Sequence, residues 1–206
     1  MKSLYRPEDL DYLRTLAEAG EQSPLLAGRF YALWGLLTAL AYSLHFIFVT
    51  GLIGGPGALP ILWISFILIG AAGHFVLLRL LFGADLPGGG AIGNRTSQYV
   101  WRFASLVLSC LFAGLILKAS LSGDPGLMNW SIPFVLATYS LAMGVTGSLA
   151  DNKIIRRAAY ASAASVGLTT LMIDSPYVYL LASVIMLLVA ALPGFLLLRD
   201  EPRSIV

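Results

Sequence analysis

Residues 30–78 read FYALWGLLTALAYSLHFIFVTGLIGGPGALPILWISFILIGAAGHFVLL, 49 residues without one Asp, Glu, Lys or Arg. A helix rising about 1.5 Å per residue crosses a hydrocarbon core of roughly 30 Å in about 20 residues. The stretch is therefore two spans, and the glycine- and proline-rich segment 51–60 (GLIGGPGALP) is the turn between them.

The same reading extends outward. Segments 103–117, 125–150, 158–173 and 175–198 are also free of charge. The expected fold is an all-α integral membrane protein with six transmembrane helices in three in-out-in hairpins: 30–52, 60–82, 99–119, 128–149, 155–173 and 176–198. These lie in one domain, 24–198, between a cytoplasmic N-terminal segment 1–23 and a cytoplasmic tail 199–206. Composition agrees: 58% of residues are hydrophobic and 12% charged, where soluble domains run near 25% charged. The mean hydropathy is +0.82. So few charges cannot cover so much apolar surface in water, and the bilayer is the expected solvent.

Orientation follows from Lys and Arg, which cytoplasmic loops retain. Lys2, Arg6, Arg14 and Arg29 precede the first span; Arg79, Arg95 and Arg102 lie between spans two and three. Lys153, Arg156 and Arg157 lie between four and five, and Arg199 and Arg203 follow six. The opposite turns carry only Lys118, so both termini are expected in the cytoplasm, in a membrane of the bacterial inner-membrane kind. Aromatic belts are expected from Trp63, Trp130, Tyr177 and Tyr179 outside, and from Tyr31, Trp34, Tyr99 and Trp101 inside. The first 27 residues carry Glu8, Asp9, Asp11, Glu18 and Glu21 rather than a basic leader, so the first span should remain as a signal anchor.

Two starts are marked by Ser23-Pro24 and Ser175-Pro176, a capping hydroxyl before a proline whose missing N–H costs nothing. Residues 7–19 read as a short cytoplasmic amphipathic helix, with acids in its first turn and Gly20 as its stop. It is expected to pack on the bundle or the headgroups, or to dock a soluble partner. Spans four and five carry the smallest residues and are expected at the centre; span six, bulkier, should face lipid on one side. The small pairs Gly70/Gly73, Gly144/Gly147 and Ala191/Gly194 in the descending helices resemble a parallel repeat, although any hairpin obeying the charge rule has this outline.

Chemistry is sparse. No charge sits near any span's midplane, which disfavours carriers and channels that use buried carboxylates. His45 and His74 are the titratable groups at depth, about 15 and 8 residues from the cytoplasmic edges of their spans, too unequal to share a haem or metal. The expected state of each is a buried neutral imidazole bonded to a Ser, Thr or Tyr of a neighbouring helix. A speculative polar intramembrane site comprises His74, Thr138, Tyr139 and Ser140, with His45. The segment 88–93 (GGGAIG) matches a dinucleotide-binding spacing but lacks the preceding strand, and Asn94-Arg95 stands where a phosphate loop needs Lys-Ser/Thr; loop 83–98 reads as a flexible connection. Cys110 has no disulfide partner. No catalytic residue, cofactor or metal site is expected, and neither is nucleic-acid binding, because no basic stripe exists outside the spans.

The expected activity is transport or permeation of a small neutral solute. The alternative is a noncatalytic anchor or regulatory subunit that binds a soluble partner through residues 7–19. Expected partners are the lipid bilayer, further copies of the chain in a homo-oligomer, and that cytoplasmic protein.

Overall fold

A computed structural model describes residues 25–82 and 91–199. Helix 7–19 and the Ser23-Pro24 start therefore lie outside the described residues. Six helical segments follow one another: α1 (Gly28–Val49), α2 (Leu59–Phe82), α3 (Ile92–Ser122), α4 (Ser131–Leu149), α5 (Lys153–Leu171) and α6 (Tyr177–Leu198). Short 3-10 turns at Pro56–Ala58 and Pro125–Trp130 lead into α2 and α4. No strand occurs among the described residues. Five of the helices are long and apolar enough to cross a membrane; α5 is the exception. Lys153, Arg156 and Arg157 in its first turns, and its Ala and Ser content, hold its hydropathy down.

The hairpin turns follow local chemistry. Gly51, Gly54 and Gly55 take positive φ between α1 and α2, where a side chain would be strained. Between α4 and α5, Asp151 turns the chain at φ 42°, and Asn152 Oδ1 caps α5 by accepting from the Ile154 and Ile155 amides at 3.0 and 3.1 Å. At the start of α6 the Tyr177 amide donates to Ser175 Oγ at 3.3 Å, but Pro176 rather than Ser175 stands at the cap and the helix begins one residue later than the Ser-Pro signature predicts.

The third helix departs from the expected boundary. Segment 92–98 is helix rather than flexible loop, because two of its polar residues face protein. Asn94 and Ser97 are buried, the Leu26 amide donates to Asn94 Oδ1 at 2.8 Å, and Gly93 packs on Ala150. Hydropathy does not register a polar helix turn buried against protein.

The centre also differs from expectation. Helices pack in the order α2, α1, α6, α5, α4, α3. Of the apolar windows, 56% of α6, 50% of α4 and 39% of α1 are buried, against 6% for α2 and for α3. Helix α6 is thus more central than α5, whose outer face leaves Tyr160, Ala161, Ala164, Gly167 and Leu168 exposed. The reason is backbone approach between α1 and α6. A Cβ on Gly35 would stand 2.8 Å from Ala191 Cα, and one on Gly194 would stand 2.8 Å from the Gly28 carbonyl oxygen. Lipid gives no hydrophobic reward for helix association, so such small-residue contacts supply the packing. Opposite Gly35, α6 widens into a π turn at Leu187–Ala191, where the Leu192 amide bonds the Leu187 carbonyl, one turn before Pro193. Proline cannot donate to its own i−4 carbonyl, and the π turn absorbs that missing bond.

The three small pairs meet unlike partners. Gly70 and Gly73 pack on Trp34 and Leu33 of α1, Gly147 on Ile155 and Arg156 of α5, and Ala191 and Gly194 on α1. They share no common packing role of the kind a repeat would give.

Candidate functional site

Helix α1 carries Tyr31, Thr38, Tyr42 and His45 at intervals of seven, four and three, so one buried stripe runs almost its full length. Tyr139 of α4 and Tyr179 of α6 face the same stripe. Tyr139 stands within electrostatic reach of Tyr31 and Tyr42, and the Tyr42 and Tyr179 rings lie 6.1 Å apart. The result is a column of four buried tyrosines through the bundle.

Each end of the column closes on a polar cluster. At the end where α1 begins, Trp101 Nε1 donates to the Tyr31 hydroxyl at 3.0 Å, and its ring meets Tyr139 edge-on at 4.9 Å. Ser97 and Thr146 flank the same hydroxyl. Thr146 is fully buried, and its Oγ1 faces Tyr31 without completing a hydrogen bond. At the other end, Trp63 Nε1 donates to His45 Nδ1 at 3.1 Å, and the His45 ring stacks on Tyr179 with centroids 3.7 Å apart and planes 15° apart. The Tyr179 hydroxyl donates to Asn129 Oδ1 at 2.6 Å, and Asn129 Nδ2 donates to the Ile173 carbonyl at 2.8 Å. One chain of contacts therefore ties α1, α2, α6 and two connections together.

The second histidine repeats the first in reverse. Trp34 Nε1 of α1 donates to His74 Nδ1 of α2 at 3.2 Å, as Trp63 of α2 does to His45 of α1. Both helices carry Trp and His eleven residues apart, 34/45 and 63/74, so an antiparallel pair aligns both couples at once. Eleven residues span about 16 Å of helix, which separates the two imidazoles in depth. The partners are indoles rather than the expected Ser, Thr or Tyr. An indole only donates, so each Nδ1 is the acceptor and each ring takes the Nε2–H tautomer.

The speculative site is not assembled as one unit. His74 contacts Trp34 and Phe30 of α1. Thr138 turns back to the Phe134 carbonyl of its own helix at 2.8 Å, with Ser140 two residues on. Tyr139 joins the tyrosine column, and His45 belongs to the opposite cluster. Tyr31, Trp63, Trp101 and Tyr179, expected in the aromatic belts, belong to these clusters instead, with Ser97, Thr146 and Asn129 beside them. The repeated Trp–His spacing was the one legible signal for any of them. The aromatic belts are correspondingly thinner than expected: Tyr99, Trp130 and Tyr177 are exposed, whereas Tyr31, Trp63, Trp101 and Tyr179 turn inward to polar partners.

Where α4 and α5 face one another, their small and hydroxyl-bearing residues serve packing, while Ala161, Ala164 and Gly167 stay exposed on the outer face of α5. Ser162 Oγ donates to the Leu136 carbonyl at 2.8 Å, Thr169 bonds its own helix, and Gly147 approaches the Arg156 backbone. Among the described residues, no three His, Cys, Asp or Glu side chains converge on a metal-sized site. Compared with protein-family models, curated proteins and solved structures, the chain matches none. The chain is an all-helical protein with several long apolar helices suited to a membrane.

Proposed function

We propose that this chain is a noncatalytic, multi-pass subunit of a bacterial inner membrane that holds a soluble cytoplasmic partner through residues 7–19. In this reading all six helices cross, α5 included, with both termini in the cytoplasm. The observation that carries it is that small and polar side chains at the α1–α6 and α4–α5 seams serve helix packing: Gly35, Gly147 and Gly194 at backbone contacts, Ser162 and Ser183 on neighbouring carbonyls. Such a bundle is a rigid support. Its basic residues gather at one end: Gly28 lies beside Gly194, Gly93 beside Ala150, and Gly147 beside Arg156, which brings Arg29, Arg95, Lys153 and Arg156 to the same level. That clustering supports the proposed orientation.

Two experiments test this. Deleting residues 1–22 should release a co-purifying partner while the thermal melt of the bundle is unchanged; an unaltered set of partners overturns the anchor reading. In a Cys110→Ser background, a membrane-impermeant maleimide applied outside should label Ile53→Cys and spare Asp151→Cys. The reverse pattern inverts the topology.

Permeation of a small neutral solute is the second reading, favoured by the unpaired Thr146 hydroxyl beside Tyr31 in the column. Flux into liposomes that falls with Thr146→Val and is indifferent to loss of residues 1–22 would favour it over the anchor.

A further inference from the structure

The N-terminal third of α3 carries a charged surface that the bundle does not use. Helix α3 has 31 residues, about 46 Å at helical rise and longer than the roughly 30 Å hydrocarbon core. In the orientation proposed above, its first turns, with Arg95 and Arg102, stand in the headgroup layer. There Ile92, Arg95, Thr96 and Tyr99 share one open face of the helix. One turn further on, the Arg102 guanidinium lies over the Tyr99 ring at 5.6 Å, so two arginines bracket one aromatic side chain on the exposed face.

Of the other cations at this end, Arg156 is ion-paired with Asp151 at 2.8 Å, and Arg79 lies over Phe75 at 4.9 Å as Arg102 lies over Tyr99. Among the described residues neither Arg95 nor Arg102 meets a carboxylate. Below them the stripe becomes apolar: Phe103, Leu106 and Val107 are each more than half exposed. Phe103 to Val107 covers about 6 Å, the upper part of one leaflet's hydrocarbon. Two guanidinium groups on one helix face, a threonine hydroxyl and a tyrosine above an apolar strip match a phosphate headgroup with its acyl chains.

We propose that Arg95, Thr96, Tyr99 and Arg102 form a binding site for an anionic phospholipid, with the acyl chains lying along Phe103, Leu106 and Val107. A free phosphate would use the guanidinium groups alone, whereas the apolar continuation selects a lipid.

Delipidated full-length protein in neutral detergent, titrated with phosphatidylglycerol or phosphatidylcholine and read by native mass spectrometry, tests this. The anionic lipid should be retained preferentially. Arg95→Gln/Arg102→Gln should weaken that retention by about fivefold per arginine at low salt, with an unchanged melt, and Arg157→Gln should leave it intact. Equal retention of the two lipids, or anionic lipid held undiminished by the double variant, overturns the proposal. So does inorganic phosphate at millimolar concentration displacing the lipid completely, which would mark a free-anion site.

Discussion

Replacing Gly35 by alanine tests the packing of α1 against α6 most directly. The added methyl would press most closely on the Ala191 backbone nitrogen and would lie 2.8 Å from Ala191 Cα and 2.9 Å from the Ala190 carbonyl carbon, where ordinary contact begins near 3.4 Å. The obstacle is backbone, so no rotamer change relieves it. The helices must part by about 1 Å, and a gap of that size forfeits about half of each dispersion contact along the seam. The same movement strains the hydrogen bond from Ser183 Oγ to the Ala39 carbonyl, now 2.8 Å. Overpacking of this kind costs about 1–3 kcal/mol, and the lost seam contacts place Gly35→Ala near the upper end, about 3 kcal/mol. For a chain of this size that is a fall of about 6–12 °C in the melting midpoint in mild detergent. The control is Gly114→Ala, because a methyl there meets nothing within 4 Å. It should be neutral or slightly stabilising, alanine being the better helix former. Equal midpoints for the two variants would refute backbone-level contact between α1 and α6.

Three further outcomes are expected. Trp63→Phe removes the donor to buried His45 Nδ1 and should lower stability by about 1–2 kcal/mol, measured by thermal melting; Trp34→Phe should cost less, because His74 is only half-buried. Thr146→Val deletes a hydroxyl that completes no hydrogen bond and should raise the midpoint, by about 1 kcal/mol of stability; a drop would show that Tyr31 depends on it. Asn152→Ala removes the α5 cap and should cost about 1 kcal/mol, with Asn152→Ser recovering most of it.

Much of the fold was legible because a membrane helix must satisfy its own backbone and present apolar side chains, which leaves a long charge-free run in sequence. Such runs located α1, α2, α4 and α6 to within a few residues. The start of α3 escaped because Asn94 and Ser97 are polar yet buried against Leu26 and the Tyr31 cluster, where side-chain partners replace lipid. Helix α5 reads weakly for a related reason. Alanine and serine are small enough for close packing and contribute little hydropathy. Aromatic residues were the least legible: Tyr99 and Tyr31 look alike in sequence, but only the second finds an indole donor inside the bundle.

The sequence alone determined that the chain is helical, that the bilayer is the medium for several of its helices, and that basic residues favour alternate turns. Those properties depend on composition along one dimension, which the cost of burying charge in hydrocarbon makes decisive. Tertiary structure alone decided that α1 and α6 touch at Gly35 and Gly194, that Trp34/His74 and Trp63/His45 pair reciprocally, and that four tyrosines align. Each of these depends on which faces of two distant helices meet. That choice is made by a fraction of an ångström of steric room and one hydrogen bond, quantities to which hydropathy is blind.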